Sequence, residues 1–390
     1  MVSMPSLHFF RWTEQLKDSG HEVYWFDVVD GGEKVERLNW VSQFIGWKLK
    51  WDYTGRHFVK LHFPKIYKFL QKINERNTAK EFEKVLKEIK PDVVHSFALQ
   101  ISCLPIVSVM RKNGDIKWVY SSWGSDIYYY QKLNISKDKV VKILERVNYI
   151  ITDCIRDFDI IRAHNFKGFF LGVFPGNGGI NYPLKKSLIS PKNRDTILIK
   201  GYNDDIGKGI EIIKSFDDKL IKLISKYNIV IFGIDEEIQD YIKKHELLNK
   251  LDISLYYKKK PISNDELLNI MNKSYIYIAN SLSDGLPNSL LEAMGMGCFP
   301  IQSNPGNVTS EVINHCENGL LIENPLNNEE IRQLISTAIN NEIMIENSFI
   351  YNVDLIRKRC DRQILKTKII NLYDRIYKDK NKIIFELFQK

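Results

Sequence analysis

Two carboxylates stand eight residues apart in the stretch SDGLPNSLLEAM, which runs from Ser283 to Met294. Asp284 comes just before a Gly-Leu-Pro-Asn turn, and Glu292 lies about one turn inside the helix predicted after it. Pro287 favours the first turn of that helix, because its φ is fixed and it has no N–H to lose. Free N–H groups and the positive end of the dipole make such a helix start a site for phosphate.

Anionic side chains beside a phosphate site are unfavourable unless each binds a neutral group that is rich in hydroxyls. Vicinal hydroxyls of a ribose or another sugar can both donate to one carboxylate. A nucleotide sugar presents such groups on either side of its diphosphate. The stretch therefore predicts a site for a nucleotide sugar.

A diphosphate also needs cations, and the stretch KGYNDDIGKG (200–209) offers two. Lys200 stands at a predicted strand end, Lys208 precedes the next predicted helix, and Gly201 keeps the backbone thin between them. The stretch is not a P-loop, and turns with Gly and Lys are common. It supports a phosphate site only together with the helix start described above.

A loop in the first half of the chain, SSWGSDIY (121–128), also follows a predicted strand. It contains Trp123, Ser125 and Asp126. Asp126 has two interpretations, an N-cap that stabilises the next helix or a carboxylate that faces a ligand.

The elements that would position these residues alternate between strands and helices, which is typical of parallel α/β sheets. Strands are predicted at 21–28, 92–97, 117–122, 148–153, 196–201, 228–233, 252–257, 275–280 and 298–303. Helices are predicted at 6–18, 78–89, 99–112, 136–146, 208–225, 263–272, 288–296 and 327–340. Pro, Gly, Asn and Lys cluster at 175–195, where the apolar period disappears and a boundary is expected.

We therefore predict a first domain at 1–180, a second at 181–350, and amphipathic helices over 351–390 that cross back to the first. The length of 390 residues and the 44% hydrophobic content suit two buried cores. A ligand is expected in a cleft between the carboxyl ends of the two sheets.

The net charge is +8, and residues 1–180 account for +7 of it. This asymmetry indicates an anionic partner such as a membrane surface, or only a solvated surface rich in Lys. The stretch 60–73 has an apolar face flanked by lysines. The apolar residues are Ile66, Phe69, Leu70 and Ile73, and the lysines are Lys65, Lys68 and Lys72. Such a helix either lies on a membrane or packs on its own sheet.

The five cysteines show no zinc or disulfide spacing, which favours reduced thiols in a cytosolic protein. No apolar run approaches the ~18 residues that span a bilayer, and the N-terminus does not have the pattern of a signal peptide. Contact with a membrane is therefore expected only from its side.

The stretch 281–322 resembles the donor-site motif of the retaining glycosyltransferases of family 4, which have the GT-B fold. The family pattern is Glu, seven residues, Glu, then Ala-Met or Ala-Leu, and only its first Glu is changed here, to Asp284. Weaker similarity covers nearly the whole chain. The similar segments are 6–28, 90–97, 123–127 and 175–180. The resemblance implies two Rossmann-like parallel-sheet domains that face each other across a cleft.

Carried over residue by residue, the resemblance implies that Glu292 binds the ribose hydroxyls and that Asp284 holds the donor sugar. The donor-binding residues that it implies are Lys200, Gly201, Lys208, Asp284, Gly285, Asn288, Ser289, Leu290 and Glu292. Main-chain N–H groups of Asn288, Ser289 and Leu290 would meet the diphosphate. The implied catalytic residues are Asp126, Asp284 and Lys208, with Ser125 and Trp123 on the acceptor side.

The chain departs from the family pattern at three further places. Tyr202 stands where the family has Arg, and Trp123 stands where it has His. Relatives open with a buried strand, whereas this chain offers only residues 1–5 before its first helix. That strand is either a stub or is completed by residues upstream of the sequence given.

The resemblance implies retaining, metal-independent transfer of a hexose-type sugar from a nucleotide sugar to a glycan or lipid-linked acceptor. It implies polysaccharide synthesis in the cytoplasm or on the inner face of the membrane, with no cofactor, metal ion or nucleic acid. Two alternatives remain: a non-catalytic nucleotide-sugar-binding protein or partner subunit, and another GT-B enzyme such as an epimerase or a phosphorylase. An NAD enzyme is disfavoured because no G-x-G-x-x-G follows an early strand.

Overall fold

The structure is a computed structural model that describes residues 1–51 and 54–378, apart from the side chain of His57. The strands within these residues are β1 (Val2–Ser3), β2 (Tyr24–Asp27), β3 (Ser42–Phe44), β4 (Val93–Phe97), β5 (Lys117–Ser121), β6 (Tyr149–Thr152), β7 (Phe169–Val173), β8 (Thr196–Lys200), β9 (Asn228–Ile234), β10 (Ile253–Tyr257), β11 (Ser274–Ala279), β12 (Phe299–Ser303) and β13 (Leu320–Ile322). All of the predicted strands are present.

The α-helices are α1 (Leu7–Thr13), α2 (Arg56–His62), α3 (Pro64–Asn74), α4 (Thr78–Ile89), α5 (Val107–Lys112), α6 (Lys137–Leu144), α7 (Ile155–Ala163), α8 (Gly209–Lys214), α9 (Asp218–Ile224), α10 (Glu236–Lys244), α11 (Asn264–Lys273), α12 (Asn288–Gly295), α13 (Asn328–Asn340), α14 (Glu342–Cys360) and α15 (Arg362–Lys378). None of the helices that the structure describes is long and apolar enough to cross a bilayer.

The chain forms two compact units. The first contains residues 1–153, 157–178 and the described residues from Lys366 onward. The second contains residues 154–156 and 179–365. Each unit is built on one parallel sheet with its own apolar core, so the prediction of two Rossmann-like domains is confirmed.

The first sheet has the order β3-β2-β1-β4-β5-β6-β7 and is parallel throughout. Its central strands are buried on both faces, as expected where helices cover both sides of a parallel sheet. Trp118 and Tyr120 of β5 are fully buried in the core of this unit.

The central strand of this sheet, β1, is two residues long. Val2 pairs with Phe26 on one side and with Ser96 on the other. The main-chain oxygen of Met1 accepts from the N–H of Phe26 at 3.0 Å. The Met1 amino group donates to the oxygen of Tyr24 at 2.8 Å, and burial lowers the pKa of this group to about 5.

The second sheet has the order β10-β9-β8-β11-β12-β13 and is also parallel. The strand order reverses at β8, which has β9 on one side and β11 on the other. Open α/β sheets bind ligands beyond the carboxyl ends of the strands at such a reversal. The loops that follow β8 and β11 are therefore the part of this unit to inspect for a site.

The predicted return of the C-terminal helices to the first unit holds for α15 from Lys366 onward, whereas residues 351–365 belong to the second unit. The hydroxyl of Tyr373 accepts from the indole N–H of Trp12 at 3.0 Å and lies 2.5 Å from Nδ1 of His95. The other ring nitrogen of His95 is 2.7 Å from Oγ of Ser121. Burial lowers the pKa of His95 well below its usual value, so this network holds a neutral imidazole.

Candidate active site

Helix α12 begins at the carboxyl end of β11, where the sequence placed it. Pro287 precedes the helix in an extended conformation, and its oxygen accepts from the N–H of Leu290 at 3.0 Å. Leu290 therefore uses its N–H inside the first turn. Among the residues that the structure describes, none accepts from the N–H groups of Asn288 and Ser289. These two groups remain available to an anion.

Glu292 is 5% exposed and lies on the second turn of α12. Its Oε1 accepts from Nδ2 of Asn264 at 2.9 Å, and Asn264 is the first residue of α11. The amide of Asn264 fixes the orientation of the carboxylate. A buried, oriented carboxylate is suited to accept from a pair of hydroxyls.

Tyr277 of β11 contacts the first turn of α12. Its hydroxyl donates to Oγ of Ser289 at 2.9 Å. Its pKa lies well above the usual value, mainly because the group is buried and also because the charges of Asp284 and Glu292 act on it. Both carboxylates thus act on one hydroxyl at the start of α12. Asp284 precedes the helix and Glu292 lies on its second turn.

The loop between β8 and α8 lies against the segment that follows β11. The N–H of Lys208 donates to the oxygen of Asn280 at 2.9 Å, and Gly207 pairs with Ser281. The ammonium group of Lys208 is held 2.8 Å from the oxygen of Asp204 in its own loop. The second unit therefore brings the loop of Lys208 beside the segment leading to Asp284.

Close backbone approach at this point depends on glycines. A Cβ on Gly209 would lie 2.7 Å from the carbonyl carbon of Gly201, and one on Gly201 would lie 2.6 Å from a methyl group of Ile234. Position 201 was predicted to need a residue without a side chain, and the close contact with Ile234 is the physical reason.

Tyr202, which replaces the Arg of the family pattern, lies among lysines. Nζ of Lys200 is 4.9 Å from the centre of its ring, and Nζ of Lys258 is 5.3 Å from it. Gly233 has a φ of +73°, and a Cβ there would be 1.9 Å from the ring of Tyr202. Two cations thus face the ring at the position where the family has one.

Arg156 comes from a distant part of the sequence but belongs to the second unit. Its Nη2 donates to the main-chain oxygen of Asp284 at 2.8 Å, and its Nη1 donates to the oxygen of Pro305 at 2.8 Å. Its own N–H donates to Oε1 of Glu311 at 3.1 Å. A single guanidinium therefore joins the loops that follow β11 and β12, and so holds the backbone of Asp284 in place.

In the first unit, Asp126 is 5% exposed and is held by three hydrogen bonds. Its two carboxylate oxygens accept from the N–H of Leu99 at 2.9 and 2.7 Å, and one of them accepts from the hydroxyl of Tyr120 at 2.6 Å. Burial raises its pKa to about 7 against these hydrogen bonds, and the charge of Asp157 raises it further. This carboxylate ties its loop to the turn that begins at Leu99.

The other predicted residues of that loop are more accessible. Trp123 is half-buried; its ring centre lies 4.8 Å from that of Phe97, and its indole occupies the space that a Cβ on Gly176 would need. Ser125 is also half-buried. The N–H of Gly124 donates to Asp153 at 2.9 Å, which fixes the turn between them.

The predicted residues therefore form two groups. Those of the second unit lie in the loop after β8, in the segment after β11 and on α12, whereas Asp126, Ser125 and Trp123 share a loop of the first unit. Four further residues of the second unit, near its predicted group, were not predicted: Arg156, Lys258, Asn264 and Tyr277. A position on or just after a predicted strand of the second half could have identified three of them: Lys258, Asn264 and Tyr277.

Two family models match this chain. A family model described as glycosyl transferases group 1 matches residues 183–354. A model described as glycosyl transferase 4-like matches residues 1–154. The chain belongs to the group 1 glycosyltransferases. The match to the first model contains every predicted donor-binding residue of this glycosyltransferase.

This glycosyltransferase is also similar to individual proteins. It is 27% identical to an uncharacterized glycosyltransferase of Haemophilus influenzae over 271 residues. The aligned region covers 67% of this chain and 70% of the relative. Sucrose-phosphate synthase of Thermosynechococcus elongatus has a TM-score of 0.68 at 14% identity, over 96% of this chain and 98% of that one. Anabaena HepE, solved with UDP-glucose, has a TM-score of 0.61 at 13% identity, over the same shares. The two structures show that this glycosyltransferase shares their fold.

Proposed function

We propose that this glycosyltransferase moves a hexose-type sugar from a nucleotide sugar to a glycan or lipid-linked acceptor, with retention of configuration. The observation that supports the proposal best is the start of α12. There, two unused N–H groups lie beside Asp284 and Glu292. This arrangement offers an anion site with a hydroxyl acceptor on each side, which is the order of groups in a nucleotide sugar.

In this proposal, Glu292 accepts from the ribose hydroxyls and Asp284 from hydroxyls of the donor sugar. Asn288 and Ser289 give their N–H groups to the diphosphate, and Gly285 keeps the turn before them open. Charge that develops on the leaving diphosphate is stabilised by the start of α12 and by cations rather than by a metal ion.

The cations proposed for this site are Lys200, Lys208 and Lys258, because Lys258 faces the same tyrosine ring as Lys200. Lysine is a point charge on a flexible stem, so its reach to a phosphate does not need the fixed geometry of an Arg. Two lysines beside Tyr202 would in this way supply the charge of the Arg that the family pattern has there.

The proposed role of Asp126 follows from its contacts. It stabilises the loop that displays Ser125 and Trp123, the two residues proposed to face the acceptor. Its predicted catalytic role stays a prediction. The carboxylate is 5% exposed and already accepts hydrogen bonds from Leu99 and Tyr120.

The proposed reaction needs no cofactor, and we propose that it takes place in the cytoplasm as part of cell-surface polysaccharide synthesis. UDP-glucose is the first donor to test because HepE was solved with it. A thermal-shift screen should include UDP-, GDP-, ADP- and CMP-sugars, since a ligand that binds only the folded protein raises its melting temperature. Turnover that persists in EDTA would support metal independence, and NMR of the first product would give its configuration.

The two carboxylates should differ in how their loss affects the enzyme. Glu292→Ala should weaken binding of the bare nucleotide as well as of the nucleotide sugar. Asp284→Ala should leave nucleotide affinity nearly intact and lower turnover about 10- to 150-fold, since a hydrogen bond to a charged group contributes roughly 1.5–3 kcal/mol. Asp240→Ala, an exposed carboxylate of α10, is the matched control and should change neither quantity.

Calorimetry with the nucleotide and turnover with the full donor separate these outcomes. Full activity in both alanine variants would make the two carboxylates structural and would contradict the proposed site. Tight binding of a donor without turnover against a broad acceptor panel would instead favour a non-catalytic nucleotide-sugar-binding protein.

A further inference from the structure

Helices α2 and α3 lie between two chain segments that are hydrogen-bonded to each other. The N–H of Lys50 donates to the oxygen of Asn74 at 2.9 Å, and the side chain of Asn74 exchanges hydrogen bonds with the main chain of Trp51 at 3.0 and 2.8 Å. Arg76 donates to the oxygens of Trp47 and Leu49 at 2.7 and 3.0 Å. The two helices are therefore fastened at their base to the first unit.

The apolar side chains of these helices point to solvent rather than into the unit. Tyr67 and Asn74, on another face of α3, are the buried residues of the pair. Six large apolar residues are 45–64% exposed: Phe58, Leu61, Phe63, Ile66, Phe69 and Ile73. We call these six residues the α2–α3 surface. The interpretation of 60–73 as a helix packed on its own sheet does not account for this exposure, because its apolar face is largely uncovered.

The charge around the α2–α3 surface has one sign. Between Arg56 and Asn74 the sequence has five Lys or Arg residues and no Asp or Glu. Four of the cations are exposed lysines: Lys60, Lys65, Lys68 and Lys72. A lysine near an anionic membrane contributes about 1 kcal/mol of attraction, and its long stem lets the ammonium reach the headgroups while apolar neighbours enter the acyl boundary.

We propose that the α2–α3 surface docks on the anionic face of a lipid bilayer. Helices that lie in a membrane interface combine an apolar face with Lys-rich flanks, as these do. A protein partner is a poorer match, since lysines are depleted in the cores of protein interfaces. The fastened base would hold the apolar side chains in place before contact, so that little conformational freedom is lost on docking.

Docking is independent of the proposed sugar transfer, because it can be measured without a donor. It would place the first unit at the membrane, where a lipid-linked acceptor resides. If the protein binds vesicles but transfers no sugar, membrane docking stands and the proposed function fails. If it transfers sugar but does not bind vesicles, the proposed function stands and membrane docking fails.

The test is flotation of the full chain with vesicles of phosphatidylcholine, alone or mixed with phosphatidylglycerol. Binding should require the anionic lipid and weaken as salt is raised. The variant Lys65→Gln/Lys68→Gln/Lys72→Gln should lower the partition coefficient about 100-fold, from about fivefold for each lysine. Lys219→Gln/Lys222→Gln/Lys226→Gln removes three exposed lysines of the second unit and should leave the partition coefficient within a few-fold of the parent.

The apolar contribution is tested separately with Phe58→Ser/Ile66→Ser/Phe69→Ser, which should lower binding at least tenfold. The matched control is Ile343→Ser/Ile350→Ser, which removes exposed apolar side chains of α14 and should not change binding. Circular dichroism and melting temperature of each variant show whether it is folded. Equal recovery with neutral and anionic vesicles would overturn the proposal. So would a dimer, seen by light scattering, that the serine variant dissociates, since the surface would then bind a second copy of the chain.

Discussion

The buried carboxylate of Asp126 makes the stability of the first unit depend on pH in an unusual direction. Its pKa rises from an ordinary value of 3.8 to about 7 on folding, chiefly because of burial. Between these values the folded protein holds a proton that the unfolded chain has lost. Its contribution to stability is therefore complete below the unfolded pKa and is lost as the pH rises through the folded pKa.

The magnitude follows from the size of this shift. Roughly three pH units at about 1.4 kcal/mol each give about 4 kcal/mol as an upper limit on the free energy of unfolding lost from pH 4 to pH 8. Asp126→Asn keeps the shape of the side chain and an acceptor oxygen but cannot ionise. The difference in unfolding free energy between variant and parent should therefore move by up to about 4 kcal/mol in favour of the variant over that range.

Tryptophan emission can follow the first unit alone, because every Trp in the sequence lies in it. The seven residues are Trp12, Trp25, Trp40, Trp47, Trp51, Trp118 and Trp123. Urea midpoints read from this emission at several pH values give the unfolding free energies. Asp92→Asn, an exposed carboxylate of the same unit, is the matched control. A difference between Asp126→Asn and the parent that stays constant with pH would refute the reasoning.

Further predictions concern three other positions. Arg156→Met removes both hydrogen bonds to loop carbonyls and should weaken nucleotide-sugar binding about tenfold or more by calorimetry; unchanged affinity would show that the loops hold their shape without it. Gly233→Ala should lower the melting temperature measured by circular dichroism, because its Cβ would lie 1.9 Å from the ring of Tyr202 at a φ of +73°. Tyr373→Phe should cost about 1–3 kcal/mol of first-unit stability, since it leaves buried His95 without that partner; an unshifted urea midpoint of Trp emission would contradict this.

Local sequence pattern was sufficient to predict much of the fold. The runs 197–199 and 275–279 are apolar at successive positions because β8 and β11 are covered on both faces, and the ends of these strands were predicted within a residue. The strands β3, β7 and β13 were not predicted. Three residues, as in β3 and β13, are too few to show a period, and Gly172 interrupts the short apolar run of β7. The predicted helix 208–225 is two helices, and the N-cap of the second is Asp217.

The candidate site was predictable only where its residues are close in sequence. Asp284 and Glu292 are eight residues apart, one before the turn at Pro287 and the other on α12, so their spacing alone predicted a shared site. Arg156 reaches Asp284 across 128 positions of the chain, and no local pattern reports such a contact. Periodicity likewise predicted the apolar face of α3 but could not show whether anything covers it.

The position of residues 154–156 has a consequence for how the chain can be divided. These three residues complete the second unit, although residues on both sides of them belong to the first. No single cut of the polypeptide therefore yields a whole second unit. A fragment that begins at Gly179 would lack Arg156 and its hydrogen bonds to Asp284 and Pro305.

The same discontinuity constrains chimeras between relatives. Exchange of the second half alone would pair a new donor loop with the Arg156 segment of the old protein. The main-chain oxygens at the positions of Asp284 and Pro305 must then lie where they can accept from the Arg156 guanidinium. Otherwise these hydrogen bonds are lost. If the second unit binds the donor as proposed, exchange of the second half alone would not transfer its whole donor loop, because residues 154–156 belong to that unit.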